Sequence, residues 1–403
     1  MLELYLHRRD VLVGAAALSP LISVGRAFAA PKAGSRLLII FLRGAYDALN
    51  IIAPTGNDFY HQSRPNIGLG KADAKNPLAP KSLSDDWSLH PALEDSILPL
   101  WQKKQVAFIP FAGCDDLSRS HFHTQDTIEL GQPVGGRRDI NSGFMARLAG
   151  ILGQQGKPIA FADQMPLCFR GSTNAIPNLA ITKVDKPIDS RRAQLIQSMY
   201  HDGNYLSQSV AEGFNIRDMA FRTVVEEMNA AGRGATTAKG FELSARRIGT
   251  LMRDQFNLAF VDVGGWDTHV NQGAAKGILA NRIGDLGRGI AGFVDTIGPE
   301  AWRSTTVVVI SEFGRTFREN GAMGTDHGHG SIYWVLGGGV AGGRLAGEQI
   351  KLSAATLNDD RDLPVLTDYR GLIGGLLARQ FGLKSDMLGK LFPSASPVDL
   401  RLL

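Results

Sequence analysis

Phe260-Val261-Asp262-Val263-Gly264-Gly265-Trp266-Asp267-Thr268-His269 joins an apolar run to a glycine turn that carries two carboxylates and an imidazole. The run from Phe256 to Val263 is short, continuous and rich in branched and aromatic residues, as expected of a strand buried on both faces. Two glycines separate Asp262 from Asp267, and glycine accepts the backbone angles of a tight turn, so both carboxylates can face one ion with His269 as a further donor. The pattern recurs downstream. Thr305 to Ser311 is a β-branched run ending at Glu312-Phe313-Gly314-Arg315, and Thr325-Asp326-His327-Gly328-His329-Gly330 precedes the apolar run Ile332 to Leu336. Carboxylates and imidazoles are ligands of hard or borderline divalent cations, and open α/β sheets bind ligands at one edge, beyond the carboxyl ends of their strands.

Outward from these clusters, Arg36 to Leu42, Val106 to Pro110 and Ile159 to Phe161 also read as strands. Pro91 to Trp101, His121 to Leu130, Phe144 to Leu152, Ile278 to Ile297 and Tyr369 to Phe381 read as helices, and Asn57 to Trp87 as loop. Asp189 to Gln255 lacks strand signals and reads as an inserted set of two or three helices broken at Gly232-Arg233-Gly234. Strands alternating with helices give an α/β fold, a doubly wound and mostly parallel sheet covered on both faces.

The N-terminus carries Arg8-Arg9, a moderately apolar stretch from Gly14 to Val24, and the small-x-small sequence Ala27-Phe28-Ala29. Paired arginines ahead of such a core resemble a twin-arginine signal, which predicts a signal peptide over 1–29 cleaved near Ala29. The export machinery is then a partner, the mature domain spans 30–403, and its location is periplasmic or secreted. The apolar core is too short to span a bilayer, which takes about 20 residues. A net charge of +4 with no long basic run gives no nucleic-acid footprint. Cys114 and Cys168 are too few for a thiolate metal framework, and a disulfide between them stays open.

Two imidazoles one residue apart, as in His327 and His329, can point the same way in extended backbone. Asp326 lies beside them, and Glu312 and Arg315 follow a strand within reach of a metal and an anion. Asp47 and Arg43 follow the first strand. Ser118 or Ser120 can occupy a helix N-terminus, where free N–H groups favour a phosphate or a deprotonated hydroxyl, although an N-cap is the commoner use of such a serine. His121 and His123 stand as ligands or as polar helix residues. The metal candidates are therefore Asp47, Asp262, Asp267, His269, Glu312, Asp326, His327 and His329; the catalytic candidates are Ser120, Arg315 and Arg43.

Taken together, these motifs resemble a bacterial family named as domain of unknown function 1501. The resemblance rests on the paired-arginine leader, Phe41 to Asn50, Arg119-Ser120-His121-Phe122, Gly264 to His269, Ser311 to Thr316 and Thr325 to Gly330. That family looks like a branch of the alkaline phosphatase superfamily, which also holds sulfatases. The resemblance implies an alkaline phosphatase-like sheet with a variable insertion and one or two divalent metals. It places the first-strand acid on Asp47, the nucleophile on Ser120, metal ligands on Asp262, Asp267, His269 and Glu312, and a late histidine on His327 or His329. The superfamily's Asp-His tandem is replaced here by Glu312-Phe313, so one ligand is missing or comes from Asp326-His327.

The expected activity is hydrolysis of an anionic small-molecule phosphate or sulfate ester by a metal-activated serine or water. Its ions are one or two of Zn, Mn, Mg or Ca. The alternative is a metal-binding scaffold of the same fold without turnover.

Overall fold

The computed structural model describes residues 34–135, 138–162, 164–179 and 241–403. The leader lies outside them, as does most of the expected helical insertion with its break at 232–234. Among the described residues no helix is long and apolar enough to cross a membrane.

Arg36–Leu42 forms β1, the middle of an eight-stranded sheet. In chain order the other strands are β2 (Val106–Gly113), β3 (Pro158–Phe161), β4 (Leu258–Val263), β5 (Thr305–Ile310), β6 (Ser331–Leu336), β7 (Arg344–Leu345) and β8 (Thr367–Asp368). The order across the sheet is β7-β2-β6-β5-β1-β4-β3, with β8 also on β2. β1 runs parallel to β4 and β5, and β3 parallel to β4. Only β6 runs against its neighbours, β2 and β5. This is the expected mostly parallel sheet, with one reversed strand inside it.

Both faces are covered, which is why the strands read as unbroken apolar runs rather than alternating ones. Leu38, Ile40 and Leu42 pack into one core cluster and Leu37, Ile39 and Phe41 into the other. Each such side chain contributes about 1.5–3 kcal/mol on full burial. The first face is closed by α3 (Phe241–Asp254) and α4 (Ile278–Trp302), the second by α2 (Phe144–Leu152), α5 (Tyr369–Phe381) and α6 (Ser385–Leu391). Another helix, α1 (His121–Leu130), follows β2. In α4 the helical angles break at Gly298, before Pro299, close to the end expected at Ile297. Proline lacks the N–H and the space to continue the preceding turn.

Pro91 to Trp101 departs from the expected single helix. It is a 3₁₀ turn over Pro91–Leu93 and a short helix over Leu98–Gln102. The expected loop from Asn57 to Trp87 holds a short helix, Asp58–Ser63, and the strand Lys81–Ser82 of a small antiparallel sheet. Cys114 and Cys168 are buried free thiols.

The buried His90 caps that 3₁₀ turn. Its Nδ1 accepts from Ala92 N (3.0 Å) and its Nε2 lies 3.1 Å from Ala274 O. This uses up the neutral ring, and burial pulls its pKa from 6.5 down to about 4. The folded value lies below the unfolded one, so the folded protein resists a proton that the unfolded chain accepts. Stability is therefore complete above about pH 6.5 and declines as pH falls toward about 4. Urea unfolding at stepped pH is expected to show this decline, shallower in His90→Gln.

Candidate metal centre

The carboxyl ends of β1, β2, β4 and β5 all lie at one edge of the sheet. Because β6 is reversed, the segment that enters it arrives at the same edge. Four connections therefore converge there: those after β1 (Arg43 and Gly44), β2 (leading to His121) and β4 (Asp267 and His269), and the β5–β6 connection, which brings Glu312 and Arg315 at its start and Asp326 and His327 at its end.

His121, Asp267 and His327 each offer one ligand atom, all within 4.8 Å of one another. His121 Nε2 is 3.0 Å from His327 Nε2 and 3.7 Å from Asp267 Oδ1. His269 Nε2 joins from the other side, 3.1 Å from His327 Nε2 and 2.9 Å from Asp267 Oδ1. The Nδ1 of each ring faces an oxygen: Glu312 Oε1 for His121 (2.7 Å), Asp326 Oδ1 for His269 (3.1 Å) and the Arg119 carbonyl for His327 (3.1 Å). Those partners assign the proton to Nδ1 in every ring and leave each Nε2 with a lone pair. Lone pairs facing each other at these distances repel unless a cation lies between them. A proton bridges two nitrogens; a divalent ion can serve several donors together. The donor set thus fits a metal, and His-rich sites with a carboxylate suit borderline ions such as Zn or Mn.

The surroundings hold the carboxylates ionised. Burial pushes the Asp267 carboxyl up, but the hydrogen bond and charge of Arg315 outweigh it and leave the group below its ordinary range. Burial also pushes Glu312 up, and hydrogen bonds from His121 and Gln125 bring it below the usual value. For His327, burial and then the His121 and Arg315 charges lower the pKa, favouring the neutral imidazole that a metal requires.

Of the expected ligands, Asp267, His269 and His327 come together. Asp326 is the acceptor behind His269, also bonded by Asn320 Nδ2 at 3.0 Å. Glu312 is fully buried and reaches the centre only through His121. Asp262 instead pairs with Arg43 Nε at 2.7 Å. Asp47, also fully buried, pairs with Arg64 Nη1 at 2.6 Å and accepts from Gln272 Nε2 at 2.6 Å. His329 does not join His327: its Nε2 lies 3.9 Å from Asp115 Oδ1, and the backbone bends at His329 itself.

Neither expected anion-binding arginine offers a free fork. Arg43 spends Nε, Nη1 and Nη2 on Asp262, Gln125 and Glu129. The buried Arg315 bonds the carbonyls of Gly44, Ala45 and Thr325 and the Asp267 carboxylate. Ser120 is the N-cap of α1, its hydroxyl accepting from His123 N at 3.5 Å, and Ser118 Oγ accepts from Ser120 N at 3.3 Å.

Close backbone approach makes this packing possible. Gly44 has φ +113°, and a Cβ there would lie 2.8 Å from Asp267 N. A Cβ on Gly314 would lie 1.8 Å from Gly330 O, so the two arms of the β5–β6 connection, carrying Glu312 and His327, touch backbone to backbone.

A family model described as Protein of unknown function (DUF1501) matches residues 34–392. The chain belongs to this family. Among curated proteins no sequence matches it. Among solved structures it is similar to the lipoteichoic acid synthase LtaP from Listeria monocytogenes, at 9% identity and a TM-score of 0.35 over 91% of this chain and 75% of that one. It is also similar to Ps i-CgsB in complex with k-i-k-neocarrahexaose, at 9% identity and a TM-score of 0.36 over 90% of this chain and 74% of that one. A third likeness is to the PH0037 protein from Pyrococcus horikoshii, at 12% identity and a TM-score of 0.30 over 77% of this chain and 86% of that one. Likenesses this slight decide nothing about chemistry, which for this DUF1501 member rests on the centre itself.

Sequence reasoning placed His121 between ligand and bystander, and did not anticipate Arg64, Gln125, Glu129 or Arg119 as partners of the site. One signal was available for His121. It opens a helix just after a strand-end loop, as the other cluster residues follow strands. In both His-x-His pairs, 121/123 and 327/329, the first ring enters the centre and the second pairs with a neighbouring aspartate.

Proposed function

We propose that this protein is an exported hydrolase of phosphate or sulfate esters that depends on a single divalent ion. The observation that carries the proposal is the convergence of the Nε2 atoms of His121, His269 and His327 on Asp267 Oδ1. His121, Asp267 and His327 would hold the ion, and three protein ligands leave the open position typical of catalytic sites. A bound divalent ion supplies Lewis acidity, polarising an ester oxygen and activating a water.

The rest is done by this chain's own groups. Arg315 fixes Asp267 and keeps it ionised. His269 presents Nε2 beside the set while Asp326 retains its Nδ1 proton, so Nε2 is placed to take a proton from an attacking water. One ion is favoured over two because the other expected carboxylates are engaged: Asp47 and Asp262 face the guanidinium groups of Arg64 and Arg43, and Glu312 and Asp326 face the Nδ1 atoms of His121 and His269. Water is favoured over serine as nucleophile because the Ser120 hydroxyl caps α1.

Calorimetric titration of the mature protein with Zn²⁺ and Mn²⁺, followed by a panel of phosphate mono- and diesters and sulfate esters, tests this reading. Binding of one ion with ion-dependent hydrolysis is expected. Absence of ion binding ends the proposal. Ion binding without turnover on any ester establishes the metal-binding scaffold instead, and a phosphoserine trapped at Ser120 establishes the serine route.

A further inference from the structure

Glu312 stands at a strand end where a direct ligand is expected, yet its geometry gives it another task. The side chain is fully buried, and Oε1 accepts from Gly44 N (2.8 Å), His121 Nδ1 (2.7 Å) and Gln125 Nε2 (2.8 Å). The Ser311 hydroxyl lies 2.9 Å from Oε2 and 2.5 Å from the Leu42 carbonyl. Oε1 alone takes three donors, one from the end of β1 and two from α1. The carboxylate therefore cannot turn toward the centre without leaving three half-buried donors, Gly44 N, His121 Nδ1 and Gln125 Nε2, without their acceptor.

We propose that Glu312 is the positioning residue that holds His121 as its Nδ1–H tautomer and so creates a metal ligand on α1. The inference rests on the metal reading for its consequence, but the tautomer itself is a property of the metal-free chain. A carboxylate behind a ligating imidazole orients the ring and raises its basicity. Here the hold is reinforced from below by Phe313, a fully buried ring whose centroid is 4.9 Å from that of His121 and 5.2 Å from that of His327. Adjacent residues thus divide the work: Glu312 fixes the tautomer and Phe313 supplies an apolar floor that no ring nitrogen can bond. The three rings have unlike partners, and only His121 relies on a fully buried carboxylate; Asp326, behind His269, is half exposed and His327 uses a backbone carbonyl.

The test uses the mature chain labelled with ¹⁵N-histidine, as wild type, Glu312→Gln and Glu312→Ala, each checked for folding by circular dichroism and thermal unfolding. In metal-free wild type, long-range ¹H–¹⁵N spectra are expected to show His121 as the Nδ1–H tautomer. Glu312→Gln keeps an acceptor oxygen and is expected to retain that tautomer. Glu312→Ala is expected to lose it. Zn²⁺ affinity, measured by chelator competition, is expected to fall about 10–100-fold in Glu312→Ala and by less in Glu312→Gln, with one ion still bound.

A wild-type His121 protonated only at Nε2 overturns the proposal, as does a Glu312→Ala variant with both tautomer and affinity unchanged. An X-ray absorption spectrum in which Glu312→Gln loses an oxygen donor also overturns it, since Glu312 would then be a ligand. If wild type binds no ion, the metal reading fails while the tautomer spectra still decide the role of Glu312.

Discussion

Asp267→Ala is expected to weaken binding of a divalent ion by more than about 100-fold, beyond the range for losing a partner behind a ligand, and to abolish ion-dependent ester hydrolysis. Asp267 Oδ1 is the atom on which the centre closes. It lies 3.7, 2.9 and 3.3 Å from the Nε2 atoms of His121, His269 and His327 and accepts from Arg315. Removing it takes away the oxygen ligand and leaves the Arg315 guanidinium, 3.4 Å from His269 Nε2, without its carboxylate, so positive charge repels the ion as well. Asp267→Asn separates these effects, because the amide oxygen can still accept from Arg315 while the negative charge is gone. Its ion affinity is expected to fall nearly as far as that of Asp267→Ala, with smaller loss of thermal stability. Chelator competition and thermal unfolding measure the two quantities, and wild-type ion affinity in Asp267→Ala would sink the proposed centre.

Arg64→Met is expected to destabilise the fold by about 3–5 kcal/mol, the cost of leaving a buried charge without its partner. Asp47 and Arg64 have side chains 1% and 0% exposed, 2.6 Å apart. Arg64 also bonds the carbonyls of Thr316 and Phe317, so its loss strands acceptors beside the stranded carboxylate. Asp47 Oδ1 is already buried without a hydrogen-bond partner. A double variant, Asp47→Val with Arg64→Met, replaces both charges with apolar groups and is expected to be more stable than Arg64→Met alone. Denaturant unfolding reads both. Ion affinity measured on folded Asp47→Asn is expected to stay within a few-fold of wild type. A drop comparable to that of Asp267→Asn would return Asp47 to the ligand set.

The two expected results separate carboxylates that look alike in the sequence. Asp47 and Asp267 each follow a strand in a turn near an arginine, and each reads as a ligand. The difference is burial: Asp47 is fully buried, held by the Arg64 guanidinium and the Gln272 amide, whereas the Asp267 side chain is 45% exposed at the mouth of the centre. Exposure depends on which loops fold over a residue, and local pattern does not encode that.

What the sequence determined by itself was the set of elements and the place of the chemistry along them. Unbroken apolar runs such as Leu37 to Leu42 and Val307 to Ile310 require a strand covered on both faces, and alternation with helices requires a mostly parallel sheet. Such a sheet aligns strand ends, so Asp267, His269 and His327 were legible as neighbours. Tertiary structure decided the rest. It reversed β6, which delivers His327 to the edge reached by the ends of β1, β4 and β5. It turned His121 inward and His329 away, although each lies in a His-x-His pair. It also paired Arg64 with Asp47 across 17 residues and Arg43 with Asp262 across 219. Strand periodicity is a local property of the chain, but a strand's direction, a ring's tautomer and a carboxylate's choice between metal and arginine depend on contacts between distant segments, and those exist only once the sheet has assembled.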